Sequence, residues 1–298
     1  MLARRLRFLL AGELSVWVVA SLAAGASSAA AAALAFAAPA AVRAAFILLT
    51  FWWSFLRRSP RAPQARIGPG ATLRMIAGET AAFLALYLVL QPFERALMGA
   101  DRLARCPARR PPVVAVHGYL CNRGSWWWLR RRLERAGFCV ASLNLEPPFG
   151  SIDEDVEQLH RRIEQVCAES GAAQVAILGH SMGGLVARGY LARHGGARVA
   201  CVITLGSPHH GSELAAAGLG RNAAQMHPGS AWLAATDALP LPRGIAVSAI
   251  YSAHDNFVVP QAAQRLDGAE NITLSGLGHL QLLFSGEVAA RVIERLLR

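Results

Sequence analysis

The sequence predicts an α/β domain with a mostly parallel sheet and helices on both faces, preceded by an N-terminal region of membrane-spanning helices. After Pro111, short apolar segments of strand length alternate with amphipathic segments of helix length. This alternation is typical of a parallel sheet whose strands are joined by covering helices. Before Pro111 the chain is far more apolar, and residues 8–56 are long enough for two membrane helices.

The charge distribution separates the same two regions. The chain of 298 residues has a formal net charge of +11, and all 30 of its basic residues are arginines. Residues 1–110 hold 14 arginines and four acidic residues, whereas residues 111–298 hold 16 arginines and 15 acidic residues. Arginines that flank apolar segments are typical of membrane proteins, whereas a nucleic-acid-binding domain spreads them over a polar face. The charge therefore indicates a membrane partner and no nucleic acid.

Residues 1–70 are predicted to form an anchor of two transmembrane helices. Residues 14–42 carry no charge, and residues 44–56 are again uncharged and end in aromatic side chains suited to a membrane interface. A turn is expected near Gly25 or near Pro39. Two alternatives stay open, namely a signal peptide followed by one helix, and a soluble alanine-rich helix.

Residues 71–110 are predicted to form an apolar helix and a linker rich in Arg and Pro. The apolar stretch at residues 75–93 contains Glu79. The stretch could cross the membrane, lie on its surface or pack against the following domain. Because a carboxylate facing lipid costs about 3 kcal/mol on insertion scales, we expect the helix to lie at the interface or to dock.

Each element of the domain at residues 111–298 is predicted from its local pattern. Apolar runs rich in Val, Ile and Leu predict strands at residues 113–116, 138–145, 175–178, 199–205, 245–251 and 272–274. Amphipathic spacing predicts helices at residues 125–136, 152–170, 182–194 and 287–297, and a helical piece at 260–266. Ser125 is the expected N-cap of the first of these helices.

Ser181 is the predicted nucleophile. It lies in Gly179-His180-Ser181-Met182-Gly183, between a predicted strand and a predicted helix. The G-x-S-x-G pattern places such a serine on a tight turn, where a side chain at either glycine would clash with the neighbouring backbone. The N-terminus of the following helix favours the negative charge that develops during attack.

A serine nucleophile needs a base that is oriented by an acid. In a fold of this type the acid and then the histidine follow the serine in the chain. Asp255 lies just beyond a strong predicted strand, and His279 lies in a glycine-rich loop after the last strand, so these two residues are predicted as acid and base. Asp267 is expected to be solvated, and His254 is expected to point away from Asp255.

The oxyanion hole is predicted from the loop after the first strand of the domain. His117-Gly118-Tyr119 ends that strand, and one backbone N–H of this loop joins that of the residue after the nucleophile. The predicted donors are the N–H groups of Tyr119 and Met182. His117 is expected to brace the loop.

Residues 111–298 resemble the α/β-hydrolase superfamily, and specifically bacterial triacylglycerol lipases and esterases. The resemblance is carried by the motifs around His117, Ser181, Asp255 and His279, and by Leu205-Gly206-Ser207-Pro208-His209-His210-Gly211-Ser212. It implies a minimal α/β-hydrolase fold that cleaves esters of apolar acyl chains through an acyl-enzyme, with a short lid at residues 208–241. The acidic residues with which larger bacterial lipases bind calcium have no clear match, so neither a metal nor another cofactor is expected.

Several alternatives stay open. An acyltransferase or thioesterase would use the same triad, and an inactive membrane-anchored interaction protein would keep only the fold. The five cysteines lack metal-binding spacing, so all thiols are expected to be free. The oligomeric state is unknown. Because arginines lie at residues 1–7 and again at 57–66, the positive-inside rule predicts an even number of crossings, with a multi-pass anchor in the bacterial inner membrane and a cytoplasmic catalytic domain.

Overall fold

The computed structural model describes residues 1–60, 65–106 and 110–298. The chain begins with a helical hairpin of α1 (Leu2–Ala23) and α2 (Ser28–Leu56). The turn is at Gly25, whose φ is +83°, and Ser27 Oγ caps α2 by accepting the N–H of Ala30 at 3.3 Å. Pro39 lies inside α2, so of the two predicted turn positions only the one near Gly25 is correct.

A third helix connects the hairpin to the sheet. Helix α3 (Pro69–Leu84) continues into a π-helical segment, Ala85–Leu90, and the short α4 (Glu94–Met98) and a 3-10 turn (Leu103–Arg105) follow. The buried side chains of Leu86 and Leu90 belong to the same apolar core as residues of the sheet. The helix therefore docks on the following domain, as one of the two expectations for it required.

Three helices in the described part of the chain are long and apolar enough to cross a membrane: Leu2–Ala23, Ser28–Leu56 and Pro69–Leu90. The only charges between residues 8 and 56 pair across the hairpin, because Arg43 Nη1 and Nη2 donate to both carboxylate oxygens of Glu13 at 2.8 and 2.7 Å. A two-pronged pairing of this kind lowers the cost of placing either charge in an apolar environment.

The described strands form one six-stranded, fully parallel sheet in the order β2-β1-β3-β4-β5-β6. Their bounds are β1 Val113–Val116, β2 Val140–Ser142, β3 Val175–His180, β4 Val199–Leu205, β5 Ala246–Ser252 and β6 Glu270–Leu274. Successive side chains of a strand point to opposite faces, and Val114 packs into one core while Val113 packs into the other. The predicted parallel sheet is confirmed.

Helices cover both faces of the sheet, as predicted. They are α5 Trp127–Arg135, α6 Ile152–Ser170, α7 Met182–His194, α8 Arg221–Gln225, α9 Ala231–Asp237 and α10 Gly286–Leu296. Helices α6 and α7 contribute to one core, and α5 and α10 to the other. The bounds predicted for β1, β4, α6 and α7 agree with the structure.

Three local predictions were imprecise or wrong. The helix expected from residue 125 begins as a 3-10 turn at Arg123–Trp126, capped by Asn122 Oδ1 on Gly124 N–H at 2.9 Å, and not by Ser125. Strand β2 is shorter than expected because Leu145 N–H donates to His117 Nε2 at 3.0 Å, outside the ladder. The helical piece near residue 260 is only a 3-10 turn, Gln261–Gln264.

The expectation that all thiols are free is also wrong. Cys106 and Cys139 form a disulfide, whereas Cys121, Cys167 and Cys201 are free. The two half-cystines are 33 residues apart in the chain, so their proximity arises from the packing of the segment after α4 beside β2. Asp101, in the same segment, forms ion pairs with Arg130 of α5 at 2.8 Å and with Arg162 of α6 at 2.6 Å.

Candidate active site

Ser181 occupies the sharp turn between β3 and α7. Its backbone has φ +55° and ψ −124°, a conformation that costs free energy in a residue with a side chain and is concentrated at functional sites. Ser181 N–H donates to Leu205 O at 2.8 Å, which ties the turn to β4. A Cβ at Gly179 would lie 2.6 Å from Gly183, and one at Gly183 would collide with Val116 O. The glycines of the motif are therefore required by close backbone approach.

Asp255 and His279 form a buried hydrogen-bonded pair at the ends of β5 and β6. His279 Nδ1 donates to Asp255 Oδ2 at 2.8 Å. The other carboxylate oxygen, Oδ1, accepts the N–H groups of Phe257 and Val258, each at 2.8 Å. Because both oxygens are engaged, the orientation of the carboxylate is fixed, and with it the ring of His279.

Gly206 makes room for this pair. Its φ is +57°, and a Cβ at this position would lie 3.2 Å from His279 Nδ1 and 3.3 Å from Asp255 Oδ2. Both the backbone conformation and the available space therefore favour glycine here. This is the physical reason for the glycine in the strand-end motif that contributed to the family resemblance.

The protonation states of the neighbouring histidines differ. Burial lowers the pKa of His279, but the charge of Asp255, the hydrogen bond to it and the charge of Glu79 outweigh this effect and raise the pKa above 6.5. The His180 ring centroid is 4.7 Å from that of His279, and burial lowers the pKa of His180 well below its usual value. His279 is thus the group suited to exchange protons, while His180 stays neutral.

The predicted oxyanion loop follows β1, and the residues predicted to supply its N–H groups lie near Ser181. Met182 is the first residue of α7, and Tyr119 lines the same cavity as Ser181. A Cβ at Gly118 would be 2.8 Å from Ser181 Cβ, which shows how closely the two loops approach.

His117 braces the oxyanion loop. Its Nε2 accepts Leu145 N–H at 3.0 Å, and its Nδ1 lies 2.9 Å from Gly118 O. Burial lowers the pKa of His117 to about 4, which keeps the ring neutral, so that Nδ1–H donates while Nε2 accepts. The bracing role expected for this residue is confirmed.

Ser181 and His279 line a cavity of about 460 Å³ with largely apolar walls. One wall is formed by the segment between β4 and β5, which includes Met226. The opposite wall consists of residues from α2, α3 and the π-helical segment, namely Phe46, Thr50, Phe83 and Tyr87. The cavity therefore lies between the six-stranded sheet and the apolar N-terminal helices.

Aromatic contacts connect the cavity wall formed by α2 and α3 to His279. The ring centroids of Phe46 and Phe83 are 5.6 Å apart, and Phe46 is 6.1 Å from Phe257. Phe257 in turn is 5.4 Å from His279. Contacts at such distances are typical of packed aromatic pairs, so α2 packs against Phe257, which lies beside the Asp255–His279 pair.

The segment between β4 and β5, where the lid was predicted, is folded over the cavity. It contains a 3-10 turn, Glu213–Ala217, followed by α8 and α9. Tyr119 Oη donates to Leu219 O at 2.8 Å and accepts Leu219 N–H at 2.7 Å. The oxyanion loop is thereby hydrogen-bonded to this segment.

The structure brings Ser181, Asp255, His279, Tyr119 and Met182 to one end of the sheet. Asp267, Asp237 and His254 have different surroundings. Asp267 is on the surface with its side chain 90% exposed, Asp237 pairs with Arg188 at 2.7 Å, and His254 Nδ1 accepts Gly276 N–H at 3.2 Å. Among the described residues no group of three His, Cys, Asp or Glu side chains could hold a metal ion.

Three residues near the site were missed by sequence reasoning: Thr50, Ser54 and Glu79. Ser54 Oγ donates to Asp255 O at 2.9 Å, and Glu79 accepts backbone N–H groups next to His279. Polar side chains within apolar helices were the available signal, since Thr50 and Ser54 are four residues apart on one helix face. Their partners are about 200 residues away in the chain, beyond the reach of any local pattern.

Comparison with known proteins agrees with this geometry. Residues 111–229 match the model of the α/β hydrolase fold family. The chain is 39% identical to a triacylglycerol lipase of Burkholderia plantarii over 129 residues, which are 40% of this chain and 35% of that lipase. It is also 39% identical to a triacylglycerol lipase of Pseudarthrobacter phenanthrenivorans over 117 residues, 36% of each chain. The matched segment thus spans about a third of these relatives.

Solved structures show the same fold. A Bacillus licheniformis lipase superposes with a TM-score of 0.57 at 19% identity, covering 66% of this chain and 96% of that one. Aspergillus fumigatus lipase B gives a TM-score of 0.58 at 20% identity, covering 81% and 64%. At these identities the similarity establishes the fold, which is the α/β-hydrolase fold.

Proposed function

We propose that this chain, which has the α/β-hydrolase fold, is a membrane-anchored serine hydrolase that cleaves carboxylic esters of apolar acyl chains. The observation that carries the proposal is the hydrogen-bonded Asp255–His279 pair at the apolar cavity that Ser181 also lines. The similarity to triacylglycerol lipases supports the same reaction class.

In the proposed mechanism His279 Nε2 takes the proton of Ser181 Oγ as this oxygen attacks the ester carbonyl. Asp255 holds Nδ1–H and stabilises the imidazolium that forms. The N–H groups of Tyr119 and Met182 stabilise the tetrahedral oxyanion. The intermediate expels the alcohol, which His279 protonates, and an acyl-enzyme remains on Ser181. Water, deprotonated by His279, then attacks the acyl group and releases the carboxylic acid.

The cavity supports an apolar acyl group as the substrate feature that is recognised. Its volume of about 460 Å³ is in the range of small-molecule sites. Its walls combine aromatic residues with aliphatic residues of the lid region, which favours hydrocarbon over polar groups. A lipid ester in the bilayer would present such a chain close to α2.

The proposed organisation is an anchor at residues 1–70, a docked apolar helix and linker at 71–110, and a catalytic domain at 111–298 with a lid at 208–241. Large apolar side chains on both hairpin helices face outward, among them Phe8, Val16, Phe36 and Trp52. Both ends of the hairpin return to the catalytic domain, since Leu2 N–H donates to Glu146 Oε1 at 3.3 Å and Arg57 pairs with Glu213 at 2.8 Å. The tip near Gly25 would then cross the bilayer and return.

The side of the membrane is a separate part of the proposal. The arginines at both ends of the hairpin favour a cytoplasmic catalytic domain, whereas a disulfide such as Cys106–Cys139 is more common in oxidising compartments. Fusing either green fluorescent protein or alkaline phosphatase to the C-terminus distinguishes the two in a bacterial host. We expect fluorescence without phosphatase activity, and the reverse would place the domain outside the cytoplasm.

Ester hydrolysis by the full chain tests the proposed reaction. The protein is extracted in detergent and assayed with nitrophenyl esters from acetyl to palmitoyl, with Ser181→Ala as the matched control. We expect turnover that depends on Ser181 and on chain length, and covalent labelling of Ser181 by a fluorophosphonate. Rates no higher than those of Ser181→Ala across the whole series would refute the proposed function.

A further inference from the structure

Glu79 is a buried carboxylate in the largely apolar helix α3, and it is not part of the proposed triad. Its side chain is fully shielded from solvent. Oε1 accepts Leu280 N–H and Oε2 accepts Gln281 N–H, each at 2.9 Å. These are the two residues that follow His279, so a side chain of α3 holds the backbone that carries the proposed general base.

We propose that Glu79 is a positioning residue for His279, and that its negative charge strengthens His279 as a base. The inference rests on the proposed function, because it assigns a role to Glu79 within that site. Glu79 does not line the substrate cavity and would touch neither substrate nor the reacting atoms. It acts through the backbone and the electrostatic environment of His279.

The two accepted N–H groups favour the ionised carboxylate and oppose the effect of burial, which raises the pKa of Glu79 to about 7. A protonated carboxyl group would turn its O–H toward one of the two N–H donors and lose that hydrogen bond. Space around the carboxylate is also tight, since a Cβ at Gly278 would lie 2.6 Å from Glu79 Cδ. The carboxylate therefore has one position, and the loop of His279 is held against it.

Helix α2 supports the same loop from another direction. Asn256 Nδ2 donates to Thr50 Oγ1 at 2.8 Å, and Asn256 Oδ1 accepts His279 N–H at 3.0 Å. The backbone of His279 is thus hydrogen-bonded, through one side chain, to the hairpin. Together α2 and α3 restrain both sides of the residue, which indicates a role in positioning and not only in packing.

Three titratable groups surround the His279 ring: Asp255, Glu79 and His180. His180 stays neutral because burial lowers its pKa well below 6.5, so the two carboxylates are the charges that favour the imidazolium. Removing the Glu79 charge lowers the pKa of His279. Because the base must be neutral to accept a proton, kcat/KM falls on the acid side as His279 protonates, and this acid limb moves to lower pH without Glu79.

The test compares Glu79→Gln with Glu79→Asp in the full chain, assayed on an ester that the wild type hydrolyses and Ser181→Ala does not. For Glu79→Gln we expect kcat to fall about tenfold, because the neutral amide accepts only one of the two backbone N–H groups. We expect KM to stay unchanged and the acid limb to lie at lower pH. Glu79→Asp keeps the charge but is one methylene shorter, so kcat falls while the acid limb stays near its original position.

Glu94→Gln is the matched control. Glu94 is another buried carboxylate of the N-terminal region, on α4, and it pairs with Arg123 at 3.3 Å. Its loss is expected to reduce stability without moving the acid limb. A shift of the acid limb of equal size in Glu94→Gln would show that the effect does not depend on proximity to His279.

A wild-type kcat and an unmoved acid limb in Glu79→Gln would overturn the inference. If that variant fails to fold, the decision rests on Glu79→Asp, and a kcat equal to that of the wild type there would overturn it. If the wild type hydrolyses no ester, the proposed function fails separately. The inference is then tested by the titration of His279 in ¹³C-histidine NMR spectra of the wild type and Glu79→Gln, where an unchanged His279 pKa contradicts it.

Discussion

The two halves of the candidate active site are supported by different parts of the chain. Ser181 and the oxyanion loop are held by β1, β3 and β4 and by glycines that permit close backbone contact. Asp255 and His279 are held in addition by α2 and α3, through Ser54 and Glu79. The family match covers residues 111–229, which include Ser181, the proposed nucleophile, but neither Asp255 nor His279.

This difference shows which half of the site can be recognised from the family resemblance. The nucleophile half is recognisable because its chemistry requires a short local motif at a fixed place in the fold. The acid–base half requires only that two side chains meet, and any surrounding structure can hold them. In this chain that surrounding structure includes helices with the length and composition of membrane spans.

The largest expected effect tests the nucleophile half. Ser181→Ala is expected to lower kcat by about 10⁴-fold or more, because the triad acts as a unit. His279→Ala should be nearly as harmful, and the double variant scarcely worse. The measurement is single-turnover and steady-state ester hydrolysis, with the melting temperature as a check on folding. Activity of Ser181→Ala within tenfold of the wild type would move the nucleophile elsewhere.

The next effect tests the acid–base half. Asp255→Asn is expected to lower kcat by roughly 10³- to 10⁴-fold, because the amide no longer orients His279 in the required tautomer. Asp267→Asn is the control, since this side chain lies on the surface, and it should cost less than about tenfold. The opposite ranking of the two variants would assign the acid to another position.

A smaller effect tests whether α2 forms part of the substrate site. Phe46→Ala enlarges the cavity and removes apolar contact. The kcat/KM for long acyl chains should therefore fall by about tenfold relative to the kcat/KM for short acyl chains. Phe36→Ala is the matched control on the same helix, where the side chain is 73% exposed and distant from the cavity. An identical chain-length profile for wild type and Phe46→Ala would separate α2 from substrate binding.

The smallest effect compares the two helices of the hairpin. Ser54→Ala removes the donor to Asp255 O and the acceptor of Gln261 Nε2 at 2.7 Å, so kcat should fall about threefold. Ser15→Ala in α1 removes only a bond to Ala11 O within the helix and should leave kcat unchanged. Equal rates for the two variants would mean that Ser54 of α2 contributes no more to the proposed reaction than Ser15 of α1.

Sequence reasoning was most accurate where local patterns determine structure. The bounds of α6 follow from its helical apolar spacing, and its N-terminus has a capping box between Ser151 and Glu154. The motif around Ser181 likewise predicted the turn between β3 and α7. The predicted pair Asp255 and His279 lies together because parallel strands end at the same edge of the sheet.

The features that the sequence did not predict depend on long-range contacts. The disulfide and the position of Glu79 both depend on how the segment before β1 packs on the domain, and Glu79 and Leu280 are 201 positions apart. The chain alone indicated only that a charge in an apolar helix needs a partner. It contained no local information about which partner that is.

The cavity wall formed by α2 has a consequence for protein engineering. A soluble enzyme is usually made from an anchored one by cutting the chain at the end of the anchor. Here a cut near residue 70 would remove Phe46 from the cavity wall and Ser54 from the Asp255 loop. A working soluble form would therefore need a redesigned Asp255 loop and a replacement wall, or a hairpin whose outer face is recoded with polar residues while its inner face is kept.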